Sequence, residues 1–82
     1  MDESNKNLAN AKAVADWMNA HPDYNDSELC SVIAEHDMKV WKKQGFDEPC
    51  CYNDDYVVVK ASKGYVCEDM ELYAEYRLRY EF

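Results

Sequence analysis

Glycine is nearly absent from this chain: Gly45 and Gly64 are the only two in 82 residues, and Pro22 and Pro49 are the only prolines. That scarcity excludes a Gly-rich phosphate-cradling loop, and no G-x-S-x-G turn is present to form a nucleophile elbow. Bases are scarce too, nine Lys and Arg against seventeen Asp and Glu, which leaves a net charge of -8. From Ala13 to Met38 there is no Lys or Arg at all, yet Asp16, Asp23, Asp26, Glu28, Glu35 and Asp37 fall there. Such a field repels nucleic acids and anionic membranes and attracts basic surfaces. Long apolar runs are also missing. The longest is Tyr56-Val57-Val58-Val59, far short of a membrane span. The opening Met1-Asp2-Glu3-Ser4 has no basic or apolar leader character, so export is not expected and a cytoplasmic location is.

What is present argues for a folded chain. Seven tyrosines and two tryptophans contribute to a 13% aromatic content, which disordered segments usually lack. At 82 residues the expectation is one domain spanning 1–82, with a core too small to enclose a large substrate cavity. The four cysteines, Cys30, Cys50, Cys51 and Cys67, are expected as thiols in a reducing compartment. Cys50 and Cys51 are neighbours, a spacing at which an unstrained bridge is difficult.

Periodicity supplies the elements. Leu8, Ala11, Val14, Ala15 and Met18 recur at helical spacing, opposite Lys12, Asp16 and Asn19, which predicts a helix over 4–20 capped by Ser4 or Asn5 and stopped before Pro22. Trp17 sits at the edge of that arc and is expected to pack partly into the core. A second helix is predicted to begin either at an Asn25 cap with Glu28 three residues on, or at Asp26 or Ser27 alone. Lys42 and Lys43 suit its last turn and Gly45 its end. Its apolar residues form two seams, Leu29, Val32, Ile33, His36 and Val40, then Cys30, Ala34, Met38 and Trp41. Cys30 and His36 are read as packed core residues, and Asp37 interrupts the pattern as either an internal partner of a Tyr or Lys, or the mark of a groove.

Residues 46–55 read as a loop, Tyr56–Ala61 as a strand, Ser62-Lys63-Gly64 as a hairpin turn with positive φ at Gly64, and Tyr65-Val66-Cys67 as the next strand. From Met70 to Phe82 the residues alternate without a break, Met70, Leu72, Ala74, Tyr76, Leu78, Tyr80 and Phe82 against the rest, which predicts a half-buried strand. Leu72, Tyr73, Tyr76 and Tyr80 also share a helical face, so a helix is the alternative there. The fold class expected is α+β, two N-terminal helices packed on a small antiparallel sheet of two or three strands.

The hairpin gathers Asn53, Asp54 and Asp55 near Glu68, Asp69 and Glu71. These are better read as solvated turn residues than as a Ca²⁺ or Mg²⁺ site, because no calcium-loop spacing is present. Zinc lacks its C-x₂₋₄-C knuckle. No cofactor, metal or enzymatic activity is therefore expected. The predicted role is that of a small acidic module that binds a larger protein and inhibits or modulates it, docking on a basic, nucleic-acid-binding surface without itself touching nucleic acid or membrane. Phage anti-restriction and anti-CRISPR proteins offer an analogy of strategy, resting on size and charge rather than on any motif. The residues expected to meet the partner are Asp37, Asp54, Asp55, Glu68, Asp69, Glu71, Tyr73 and Glu75, with a homodimer or strand addition through the C-terminal strand. The alternative is a metal- or redox-responsive regulator built on the four cysteines.

Overall fold

In the computed structural model, residues 3–41 and 49–73 are described. Helix α1 runs Glu3–Ala20 and buries Ala11, Val14, Ala15 and Met18, the stripe that the i, i+3, i+4, i+7 spacing predicts. Ser4 and Asn5 lie inside the helix rather than capping it. The His21 amide still donates to the Trp17 carbonyl at 2.9 Å, and Pro22 prevents a further turn. Trp17 is half-buried against the core, as expected.

Helix α2 spans Asp26–Glu35 and starts at Asn25, one of the three caps the sequence offers. The Glu28 amide donates to Asn25 Oδ1 at 2.8 Å and the Asn25 amide to Glu28 Oε1 at 3.1 Å, a reciprocal capping box. Its end corrects the reading that carried it to Lys42. The Asp37 amide donates to the Ala34 carbonyl at 3.1 Å and the Met38 amide to the Ile33 carbonyl at 3.0 Å. That pair of bonds is a Schellman closure, with Asp37 in the left-handed position at φ 56 that glycine usually takes. Met38 and Ile33 are buried in one cluster, the hydrophobic contact that accompanies such a closure. Cys30 is exposed rather than packed, as is Ala34 one turn on, so that seam of α2 faces solvent. His36 is only half-buried, its Nδ1–H bonded to the Val32 carbonyl at 2.9 Å.

Four strands follow: β1 Lys39–Val40, β2 Pro49–Tyr52, β3 Tyr56–Ala61 and β4 Gly64–Asp69. They form one antiparallel sheet in the order β1-β2-β3-β4, so the α+β class holds with four strands in place of two or three. β1 replaces the expected helical end, and β2 falls where a loop was expected. The chain then turns into a short 3-10 segment, Met70–Tyr73. The strand predicted to begin at Met70 therefore does not form over those four residues, and the remainder of that expectation, 74–82, lies outside the described residues.

The sheet separates two buried clusters. On one face Cys50, Cys51 and Val58 meet Val14, Ala15 and Met18 of α1 and Leu29 and Ile33 of α2. Val57, Val59, Trp41 and Met70 are buried on the other, which fits the period of two along β3. Cys51, Val58 and Cys67 are register partners across three strands. A bulge between Pro49 and Cys51 leaves Cys50 as an extra residue in β2. Its effect is to give two consecutive side chains, Cys50 and Cys51, to the same helix-covered cluster, where a regular strand would send them to opposite faces. Among the described residues, no helix is long and apolar enough to cross a membrane.

Candidate functional site: an acidic end of the sheet

Asn53 builds this end of the molecule. It is a buried polar residue, 7% exposed, and burial of an amide requires that its hydrogen bonds be met. Its Oδ1 accepts from the amides of Asp55 at 3.0 Å and Tyr56 at 2.8 Å, and its Nδ2 donates to the Asn7 carbonyl at 2.9 Å. Asn7 Nδ2 in turn donates to Asp55 Oδ2 at 2.7 Å. The β2–β3 turn is thus held in one shape and tied to the first turns of α1. On the other side the Met70 amide donates to the Asp55 carbonyl at 2.9 Å, and the Glu71 amide to Asp69 Oδ1 at 2.9 Å.

Two open notches result, sharing Asp54 as a common wall. One, of about 260 Å³, is lined by Asp54, Asp55, Tyr56, Asp69, Met70 and Glu71. The second, of about 240 Å³, is lined by Asn7, Asp37, Lys39, Tyr52, Asn53 and Asp54. Five of the residues singled out from the sequence, Asp37, Asp54, Asp55, Asp69 and Glu71, therefore converge from three separate segments onto one end. Glu68 does not join them. Its register partner is Val57, so it shares the Val57 side of the sheet. The Tyr73 side chain and Glu75 lie outside the described residues. Asp37 is exposed rather than paired inside the protein, because the left-handed turn at the end of α2 carries it outward.

No protein-family model, curated protein or solved structure matches this chain. Among the described residues, no group of three or more His, Cys, Asp or Glu side chains is disposed to hold a metal ion. The carboxylates are divided between two notches that share Asp54. Acids divided in this way present separate acceptors to separate donors, which suits several Lys or Arg heads better than one chelated cation. Tyr52 and Tyr56 line the same notches and add aromatic surface of the kind that anchors interfaces. Asn7, Asn53 and the two tyrosines were missed as site residues in the sequence. Only the run Asn53-Asp54-Asp55 carried a signal, as an Asx-type turn. Asn7 reaches Asp55 across 48 positions, and no local pattern encodes that.

A second polar region lies at the far end of α1. Asn19 Nδ2 donates to the Tyr65 carbonyl at 2.9 Å and its Oδ1 accepts from the Tyr65 amide at 2.8 Å. The Tyr24 and Tyr65 hydroxyls are 2.8 Å apart. Trp17 stacks on His21 with centroids 4.6 Å apart and an interplanar angle of 21°. Burial, then the Tyr65 hydrogen bond, holds the Tyr24 phenol well above its ordinary range.

Proposed function

We propose that this protein is a small acidic binding module that acts in the cytoplasm, inhibiting or modulating a larger protein by docking on its basic, nucleic-acid-binding surface. The single observation that carries the reading is the convergence of Asp37, Asp54, Asp55, Asp69 and Glu71 on two adjoining notches of a fixed turn. Charges held at set positions lose less conformational freedom on binding than charges on loose segments. They also steer encounter with a positive patch, an effect that weakens as salt shortens the screening length to roughly 8 Å. The phage inhibitors that cover nucleic-acid-binding surfaces remain an analogy of strategy.

The test uses Asp54 and Glu71, both exposed, so that the hydrogen bonds of Asn53 and Asp55 stay intact. The full chain and its Asp54→Lys/Glu71→Lys variant are used to capture proteins from lysate of the native organism at low and high salt, and association rates are measured with the captured partner. The expected result is a basic partner whose association rate falls at least tenfold from low to physiological salt and again on double charge reversal. A rate indifferent to both would sink the reading.

A further inference from the structure

Beyond the acidic end, we propose that Cys50, Cys51 and Met18 form a binding site for one soft monovalent metal ion of the copper(I) class, set between the sheet and α1. The bulge in β2 turns both adjacent cysteines toward the helices. Cys50 Sγ then lies 3.8 Å from Cys51 Sγ and 3.8 Å from Met18 Sδ. All three residues are buried, at 1%, 0% and 1% exposure. With metal–sulfur bonds of about 2.3 Å, two sulfurs on one ion stand about 3.8–4.0 Å apart at angles between tetrahedral and trigonal. The two spacings that radiate from Cys50 match those of sulfurs sharing one ion. The distance between the two cysteine sulfurs is far from the 2.03–2.05 Å, approximately, of a disulfide, and the cysteines are free thiols.

The donor set selects the ion. Two thiolates and a thioether are soft ligands that favour copper(I), whereas zinc is normally held by four Cys, His or carboxylate groups. The required four-ligand group is absent among the described residues. Met18 is the ligand nearest solvent: with Tyr24 and Tyr65 it walls an open cleft of about 620 Å³ at the far end of α1, so an ion would enter past its thioether. Binding forms two thiolate–metal bonds and one thioether–metal bond. It breaks two S–H bonds, whose protons leave to solvent, and no atom changes oxidation state. The site lies at the opposite end of α1 from the Asn7–Asp55 contact, so it stands or falls separately from the docking surface.

The test titrates the reduced, full-length chain anaerobically with copper(I) held by a competing chelator, and repeats it with silver(I). Native mass spectrometry counts bound ions, and thermal unfolding follows the expected stabilisation, since an ion that binds only the folded chain raises its midpoint. One equivalent should be retained, with a raised midpoint. Met18→Leu conserves volume and should keep the parent's circular dichroism while weakening binding at least tenfold. Cys51→Ala should abolish retention, and Cys30→Ser, at an exposed thiol, should leave it unchanged. Failure of the parent to retain an equivalent against the chelator overturns the proposal. So does binding that survives Met18→Leu undiminished, or binding lost with Cys30. The parent and Met18→Leu measurements decide the matter even if Cys51→Ala fails to fold.

Discussion

Asp37 shows how much one residue can hide. In the sequence it reads as a polar intruder on a long apolar helix, and in the structure it is the point where the helix ends. Lys42, Lys43 and Gly45 look like a better terminus by composition. What decides the matter is the packing of Met38 beside Ile33 in the core, a contact no propensity reports. Holding an L-residue left-handed costs roughly 1–2 kcal/mol, and glycine gives back part of the gain through its larger unfolded-state entropy. Asp37→Gly should therefore stabilise the fold by roughly 0.5–1 kcal/mol, read as a higher urea midpoint with an unchanged slope. The same substitution removes a carboxylate from the second notch, so partner affinity should fall while stability rises. A lower midpoint would show that the Schellman closure is not what holds this turn.

Among the elements, those with strong local chemistry were legible. The Asn25–Glu28 box, the β-branched run of β3 and the Ser62-Lys63-Gly64 turn all carry their own signals, and each stands where expected. β2 does not: Pro49-Cys50-Cys51-Tyr52 is short, proline-led and bulged, and it becomes a strand only because β1 and β3 flank it. The alternation after Met70 was misleading over its first four residues. There the Met70 amide is taken by the Asp55 carbonyl and the Glu71 amide by Asp69 Oδ1, and the chain turns away from the ladder. The hairpin supplies a sharp test. Gly64 has φ +129, and a Cβ built there would stand 2.8 Å from Asn19 Oδ1. Gly64→Ala should cost about 1–3 kcal/mol from backbone strain, with a further penalty from the collision. Adding Asn19→Ala to it should relieve only the second part, which urea unfolding of the two single variants and the double variant would separate. A Gly64→Ala protein as stable as its parent would contradict this account.

For the whole molecule, the charge distribution was the readable part of the site, and the geometry was not. Acid clusters along the chain pointed to an acidic surface. Which acids share a face depended on the β3–β4 register and on Asn53, and that placed Glu68 away from Asp69. The core adds a response to alkali. Its hydrogen bond with Cys50, then burial, pushes the Cys51 thiol far above its ordinary 9.0. Burial raises Cys67 as well, and Tyr24 lies above its ordinary 10.0. In each case the fold favours the protonated form, so the unfolded chain releases its protons first and stability falls as pH rises. The contribution is fully present below the ordinary thiol value and is lost progressively above it. Denaturation midpoints should therefore show no loss from these groups between pH 7 and about 8.5 and should decline beyond about pH 9. Tyr24→Phe with Cys51→Ala should flatten that decline. An identical alkaline slope in parent and variant would exclude these groups as its cause.

The pair of bonds between the Asn19 amide and the Tyr65 backbone has a consequence for how the protein survives at high concentration. Among the described residues β4 is an outer strand of the sheet, and a carboxamide that both donates to and accepts from one residue imitates the next strand for the length of that residue. It occupies the Tyr65 amide and carbonyl, two of the groups through which a second chain could pair with this edge. Asn19→Ala would reopen that stretch of strand edge while leaving the acidic end untouched, so the expected change is faster aggregation at high concentration, read by light scattering, with little change in partner binding.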